Sequence, residues 1–133
     1  MNNDCPLAAK ASFSTKISRE DVDGFARLSG DGNPLHCDDG FAAGTRFGRR
    51  VVHGMFLASL FSRMVGMHLG RKDVLYVSQT LEFRNPAFIG DEVTVEFSLE
   101  SWSQAAGLAT YRSTITNAAG KLLVDGKTKV MLL

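Results

Sequence analysis

The sequence reads as an α+β domain in which an antiparallel sheet wraps around one long central helix. Three observations carry that expectation. The segment 54–69 has helical spacing and is apolar on nearly every side, so it must be buried on nearly every side. Runs that alternate apolar and polar residues with a period of two follow it, the mark of half-buried strands. The 133 residues contain no internal repeat, low-complexity tract or linker-like stretch, so 1–133 is read as a single domain. A chain of that length buries roughly two-thirds of its unfolded surface, enough for a core without staples.

The elements follow in order. Residues 11–17 alternate weakly and suit a short first strand. Ser18 and Asp21 resemble a capping box, with Asp standing where Glu or Gln is usual. Val22, Phe25, Ala26 and Ser29 continue at helical spacing, although Gly24 costs that helix about 1 kcal/mol. Gly30 and Asn33-Pro34 end it, because Pro34 pushes Asn33 out of the α region. A short turn of helix is expected over 38–43. In the central helix Met55, Ala58, Ser59, Ser62 and Val65 fall on one side, while Phe56, Leu57, Leu60, Phe61 and Met64 cover most of the rest. Beyond it, Val77, Leu81 and Phe83 share one face of a strand that also holds Gln79. Val93, Val95, Phe97 and Leu99 then alternate with Thr94, Glu96, Ser98 and Glu100, and the runs 108–117 and 121–132 complete the pattern. Four consecutive strands at hairpin spacing imply an antiparallel sheet whose inner face needs apolar cover.

Composition excludes several classes of function. Lys and Arg total 15 against 14 Asp and Glu, with no basic tract for nucleic acid and no acidic tail. Cys5 and Cys37 are too few for a disulfide framework, and the first residues lack the basic start and apolar run of a secretory leader. The longest apolar stretch, around 55–69, is broken by Ser59, Ser62, Arg63 and His68, so no membrane span is expected. The expectation is a cytoplasmic protein in a reducing compartment. No metal-ligand spacing, phosphate loop or Gly-x-Ser-x-Gly elbow occurs, and neither a metal nor an organic cofactor is expected.

The chemistry concentrates in the run Leu28-Ser29-Gly30-Asp31-Gly32-Asn33-Pro34-Leu35-His36. It places a carboxylate and an imidazole across a tight turn, just ahead of the helix opened by His53-Gly54. Adding water to a double bond conjugated with a thioester has three demands that such a site can meet. A base takes a proton from water, a donor steadies charge on the carbonyl oxygen, and a proton reaches the α carbon. Asp31 and His36 can grip one water from two sides, since both reach the required protonation states near neutral pH. Gly54 can offer an unpaired backbone N–H at a helix start, with no Cβ to obstruct the thioester. Each residue also has a plainer reading. Asp-Gly-Asn-Pro is good turn chemistry, His36 can be a satisfied half-buried histidine, and Gly54 can simply start a helix.

The stretch 25–42, centred on Ser29-Gly30-Asp31-Gly32-Asn33-Pro34-Leu35-His36, resembles the signature of the MaoC-like hydratase family, the hydratase 2 group that includes R-specific enoyl-CoA hydratases. Val52-His53-Gly54-Met55 matches a second family landmark; Phe83-Arg84-Asn85-Pro86 through Gly90-Asp91-Glu92-Val93 matches a third. In length the chain is similar to the short bacterial members rather than the two-unit eukaryotic ones. The resemblance implies a hot-dog fold, a homodimer whose sheets join edge to edge, and an acyl-CoA thioester substrate. It further implies that Asp31 and His36 activate water, that the Gly54 amide binds the thioester oxygen, and that the product has R stereochemistry. Dehydration of a 3-hydroxyacyl group on an acyl carrier protein uses the same site in reverse, and a noncatalytic acyl-thioester binding module is the reading of another class.

Around this centre, Asn33, Met55, Ser59, Ser62, Val65, Gln79 and Val130 form the expected substrate-binding set. Met55, Ser59 and Ser62 share a helical face that can line an acyl channel, with Val65 and Val130 near its depth; Gln79 is polar on an apolar strand face. His53 is expected to hold the turn before the helix. Arg49 and Arg50 can meet coenzyme A phosphates or an acidic carrier surface, or form a solvated loop.

Overall fold

The computed structural model describes residues 4–133. The chain runs β1 (Lys10–Lys16), α1 (Arg19–Ser29), α2 (Pro34–Cys37), α3 (Asp39–Ala43), α4 (Gly54–Met67), β2 (Val74–Gln79), β3 (Glu82–Phe83), β4 (Glu92–Ser103), β5 (Leu108–Asn117) and β6 (Leu122–Leu132). The six strands form one antiparallel sheet in the order β1-β4-β5-β6-β2, with β3 also paired to β6. Period-two alternation decides which side faces in. Val93, Val95 and Phe97 of β4 and Ala109, Tyr111 and Ile115 of β5 are buried. Against them lies α4, whose Phe61 ring packs 5.7 Å from Phe97, itself 5.3 Å from Tyr111. The Tyr111 hydroxyl donates to the Ala8 carbonyl at 2.7 Å, tying the first residues to the core, and burial pushes its phenol well above the usual tyrosine range.

Local signals act as expected in α1. The Ser18 hydroxyl accepts from the Asp21 amide at 3.0 Å and the Asp21 carboxylate accepts from the Ser18 amide, closing the capping box. Gly30 ends the helix with φ of 81°, a conformation that costs glycine little. The expected turn of helix at 38–43 is α3; the preceding α2 is an addition, started by Pro34 with the Asn33 side chain accepting from the Leu35 amide at 2.9 Å.

Three departures matter for the site. The run expected to be one strand over 77–83 is β2 and β3, interrupted at Thr80 and Leu81. Val77 lies at a register shift, so it and Phe83 are about half exposed rather than sharing a buried face. That pair of strands also does not adjoin β4, the next strand in sequence. It lies beyond β6, and residues 84–91 lead back toward β4 and the end of β1, held by Arg84 N–H to Leu123 O at 2.8 Å, the Asn85 side chain to Leu122 O at 2.6 Å and Gly90 N–H to Ile17 O at 2.8 Å. Finally, α4 is not enclosed on every side. Phe56, Leu57, Phe61, Met64 and Val65 are buried, whereas Met55 is 58% exposed and Met67 73%, and Ser59 and Ser62 are open as well. The sheet curls around one side of the helix only. No described helix is long and apolar enough to cross a membrane.

The break between β2 and β3 depends on Gly126 of β6. A Cβ there sits 2.0 Å from the Thr80 carbonyl oxygen, a main-chain atom that cannot swing away. Gly126→Ala is therefore expected to cost at least ~3 kcal/mol, the upper range for an overpacked interior. Urea unfolding checks this; a midpoint equal to that of the unaltered chain contradicts it.

Candidate active site

Asp31 follows α1 directly, in a loop built from its own polar side chains. The Ser29 hydroxyl donates to the Phe25 carbonyl at 2.7 Å and accepts from the Asp31 amide at 3.1 Å. One carboxylate oxygen of Asp31, Oδ1, accepts from the Asn33 amide at 3.2 Å, and this turn bond does not engage Oδ2. The turn bond uses one carboxylate oxygen, so turn chemistry at this residue does not exclude a second role for the other.

His36 sits on the single turn of α2, and its ring is oriented by main chain. Nδ1 lies 2.6 Å from the Val51 carbonyl oxygen. A carbonyl can only accept, so Nδ1 carries the hydrogen and Nε2 presents a lone pair. The ring stacks on His53 with centroids 4.0 Å apart and planes 28° from parallel. One ligating atom from each of Asp31, His36 and His53 falls within 4.8 Å of the other two. Two acceptors sharing one water, each about 2.8 Å from its oxygen, stand about 4.5 Å apart. Groups this close leave room for one water to bridge the Asp31 carboxylate and an imidazole ring.

These groups border a cavity of about 390 Å³ that also touches Gly54, Met55 and Phe83 and is mostly apolar. Gly54 is the first residue of α4, and an N–H in that position has no acceptor within its helix. The fourteen-residue helix that it opens adds a partial positive charge at this end. The close approach is real, because a Cβ on Gly54 falls 2.9 Å from Cε1 of Phe83.

The rest of the expected substrate-binding set is dispersed. Met55 borders the same cavity, whereas Ser59 borders a second one, of about 350 Å³, between α1, α4 and the end of β1. Asn33, Ser62, Val65, Gln79 and Val130 border neither. Asn33 is occupied in capping α2. Ser62 lies on the open face of α4, while Val65 and Val130 belong to the buried core. Gln79 is committed at both ends of its amide: Oε1 accepts from the hydroxyls of Tyr76 and Thr128, and Nε2 donates to Ser113 Oγ at 3.0 Å and Thr80 O at 2.8 Å. Burial pushes the Tyr76 phenol up, partly offset by its bond toward Thr128.

Arg50 is unsuited to the phosphate contact weighed for it. It is 4% exposed, donating from Nε to the His36 carbonyl and from its terminal nitrogen to Asp23, each at 2.5 Å. Arg49 remains at the surface, its guanidinium 3.9 Å above the Phe88 ring. His53, expected only to hold the turn, reaches further: Nε2 lies 3.0 Å from the Asp31 carbonyl oxygen. In sequence, the signal for both was adjacency, since Arg50 and His53 bracket the two residues leading into Gly54.

A family model described as a MaoC like domain matches residues 6–119. An (R)-specific enoyl-CoA hydratase of Aeromonas caviae is 44% identical over 126 residues, covering 95% of this chain and 94% of that protein. A second, from Rhodospirillum rubrum, is 37% identical over 122 residues, covering 92% and 84%. The solved structure of an (R)-hydratase from A. caviae, described as involved in PHA biosynthesis, superposes with a TM-score of 0.92 at 42% identity over 98% of both chains.

The contact between Gly54 and Phe83 makes this corner testable. Phe83 is half exposed, so its ring can turn away from an added methyl group at a cost below about 1.5 kcal/mol. The displaced ring then crowds the cavity mouth. Gly54→Ala is expected to melt near the unaltered protein while losing on the order of 10²-fold in turnover, the scale of an ångström-sized misplacement. Undiminished turnover contradicts the placement.

Proposed function

The chain belongs to the MaoC-like domain family, and on that footing we propose that it is an R-specific enoyl-CoA hydratase, a hydro-lyase that adds water reversibly to trans-2-enoyl-CoA to give (R)-3-hydroxyacyl-CoA. The observation that carries the reading is the meeting of the Asp31 carboxylate, the His36 ring and the start of α4 around one cavity. The A. caviae and R. rubrum hydratases, similar over more than nine-tenths of this chain, support the substrate class.

The steps follow from what each group offers. A water lies between Asp31 Oδ2 and His36 Nε2, with a lone pair turned toward the β carbon of the enoyl group. As the C–O bond forms, one of the two acceptors takes the water's proton. The electrons of the double bond move onto the thioester oxygen, where the Gly54 amide and the helix dipole hold the enolate. The proton is then delivered to the α carbon, so that one water is added in full. The oxygen and hydrogen arrive from the same side, because both come from one clasped molecule. The lining around Met55 and Phe83 is mostly apolar, and a bound acyl chain that covers it lowers the local dielectric and strengthens each of these interactions.

The working form is a homodimer. Edge strand β2 presents Leu75 and Val77, each about half exposed, and the open face of α4 presents Met55 and Met67. An apolar edge of this kind pairs unwanted chains unless a partner covers it. A second copy that joins β2 to β2 buries all four side chains together.

Loss of 2-enoyl absorbance on acyl-CoA substrates tests the activity directly. Turnover of carrier-linked substrates alone favours the acyl-carrier dehydratase instead, and release of free thiol favours a thioesterase. Asp31→Asn removes a proton acceptor but keeps the turn, and is expected to lower hydration by at least about 10²-fold. Near-normal turnover removes Asp31 from the chemistry. Sedimentation equilibrium is expected to give twice the chain mass; a monomer at working concentration contradicts the edge pairing.

A further inference from the structure

We propose that His53 is a positioning residue for the hydration reaction, one buried ring that holds Asp31 by its main chain and His36 by its face. The inference rests on the hydratase reading and adds a third residue to it. His53 is 2% exposed and lies between Phe25, with centroids 4.9 Å apart, and His36, at 4.0 Å. Its Nε2 is 3.0 Å from the Asp31 carbonyl oxygen, which can only accept, so Nε2 carries the hydrogen and Nδ1 the lone pair.

Two plainer roles fail on chemistry. If His53 served only to fill space, a phenyl ring would do so without burying an idle nitrogen. Nδ1 is buried and has no hydrogen-bond partner among the described residues, which costs stability. If it capped α4, its side chain would accept an amide of the first turn, and it makes no such bond. What imidazole supplies beyond phenylalanine is the Nε2–H donor to Asp31. What it supplies beyond glutamine is a flat face for His36. Both partners are the groups that grip the water.

The loop around Asp31 needs an outside hold. Its other described bonds are local, from Asp31 to Ser29 and Asn33 and from Gly32 N–H to Gly30 O, and Gly30 and Gly32 flank Asp31. His53 reaches it from 22 residues away. The stack limits the tilt of His36 about its bond to Val51, so the spacing of the two acceptors is set through one ring.

Two substitutions separate the two contacts in the full-length protein. His53→Phe keeps the stack and loses the donor; His53→Gln restores an amide N–H near the Nε2 position and loses the ring. His53→Phe is expected to lower kcat on a 2-enoyl-CoA by roughly 10- to 100-fold, the scale of a misplaced catalytic group, with KM changed less than about threefold and no loss of melting temperature. His53→Gln is expected to regain part of that kcat. Amide hydrogen exchange at residues 30–33 is expected to quicken at least about tenfold in His53→Phe and less in His53→Gln, since lost hydrogen bonds open the loop. Unchanged kcat or unchanged exchange in His53→Phe overturns the proposal. Should the unaltered protein fail to hydrate enoyl-CoA, the hydratase reading falls, and exchange alone decides whether His53 holds the loop.

Discussion

Arg50 to His53 form a strap that binds the acid/base turn to the start of the central helix, and the site exists because that strap is tied on both sides. Toward the turn, Val51 N–H donates to Leu35 O at 3.2 Å, Val51 O accepts from the His36 ring, and Arg50 holds the His36 carbonyl. Toward the sheet, Val52 N–H donates to Ala87 O at 2.8 Å and Val51 bridges to Phe88. The segment that holds Ala87 and Phe88 is itself tied to β6 through Arg84 and Asn85 and to Ile17 through Gly90. Rigidity therefore passes from the sheet through the strap to two short segments, α2 and the Asp31 loop, that have little core of their own. No residue of α2 is fully buried.

Charge placement along the strap is as consequential as its hydrogen bonds. Arg50 is nearly sequestered from solvent while its partner Asp23 is about half exposed. A cation so placed is tolerable only when paired and fully bonded, and here it spends its donors on Asp23 of α1 and on the His36 main chain. The guanidinium thus links α1, through Asp23, to α2, through the His36 carbonyl. At the far end of the strap, the amide of Gly54 is unspent by its helix, and the residue borders a mostly apolar cavity. One carboxylate, one imidazole lone pair and one free amide are brought together without any of them being bound up in the core.

What was legible in the sequence was what short-range physics decides. Ser18 and Asp21 specify their capping box within four residues, and Gly30 its left-handed stop. The apolar helix begins at Gly54 as its spacing says, and β4, β5 and β6 follow their alternation into a meander. The turn that brings Asp31 toward His36 was readable for the same reason. What escaped was decided by partners far along the chain. Pairing of β2 with β6 rather than β4 leaves residues 84–91 to return the chain from the far edge of the sheet, and the break at Thr80 depends on the missing Cβ of Gly126. Gln79 looked available because its partners Ser113 and Thr128 are more than 30 residues distant. Arg50 looked like a surface cation until Asp23 and the His36 carbonyl enclosed it. The open face of α4 was hidden by composition, since Met55 and Met67 are apolar whether a sheet or a second copy covers them.

In the proposed reaction Asp31 and His36 act on the same water, and a double-mutant cycle measures that sharing. Asp31→Asn, His36→Gln and the combined variant are compared by kcat/KM for one 2-enoyl-CoA, with folding checked by melting. If both side chains hold a common molecule, the first substitution already abolishes the grip, and the combined variant loses little more than the worse single one. Losses that multiply across the two positions would mean that each residue acts alone, and the shared water would have to be abandoned.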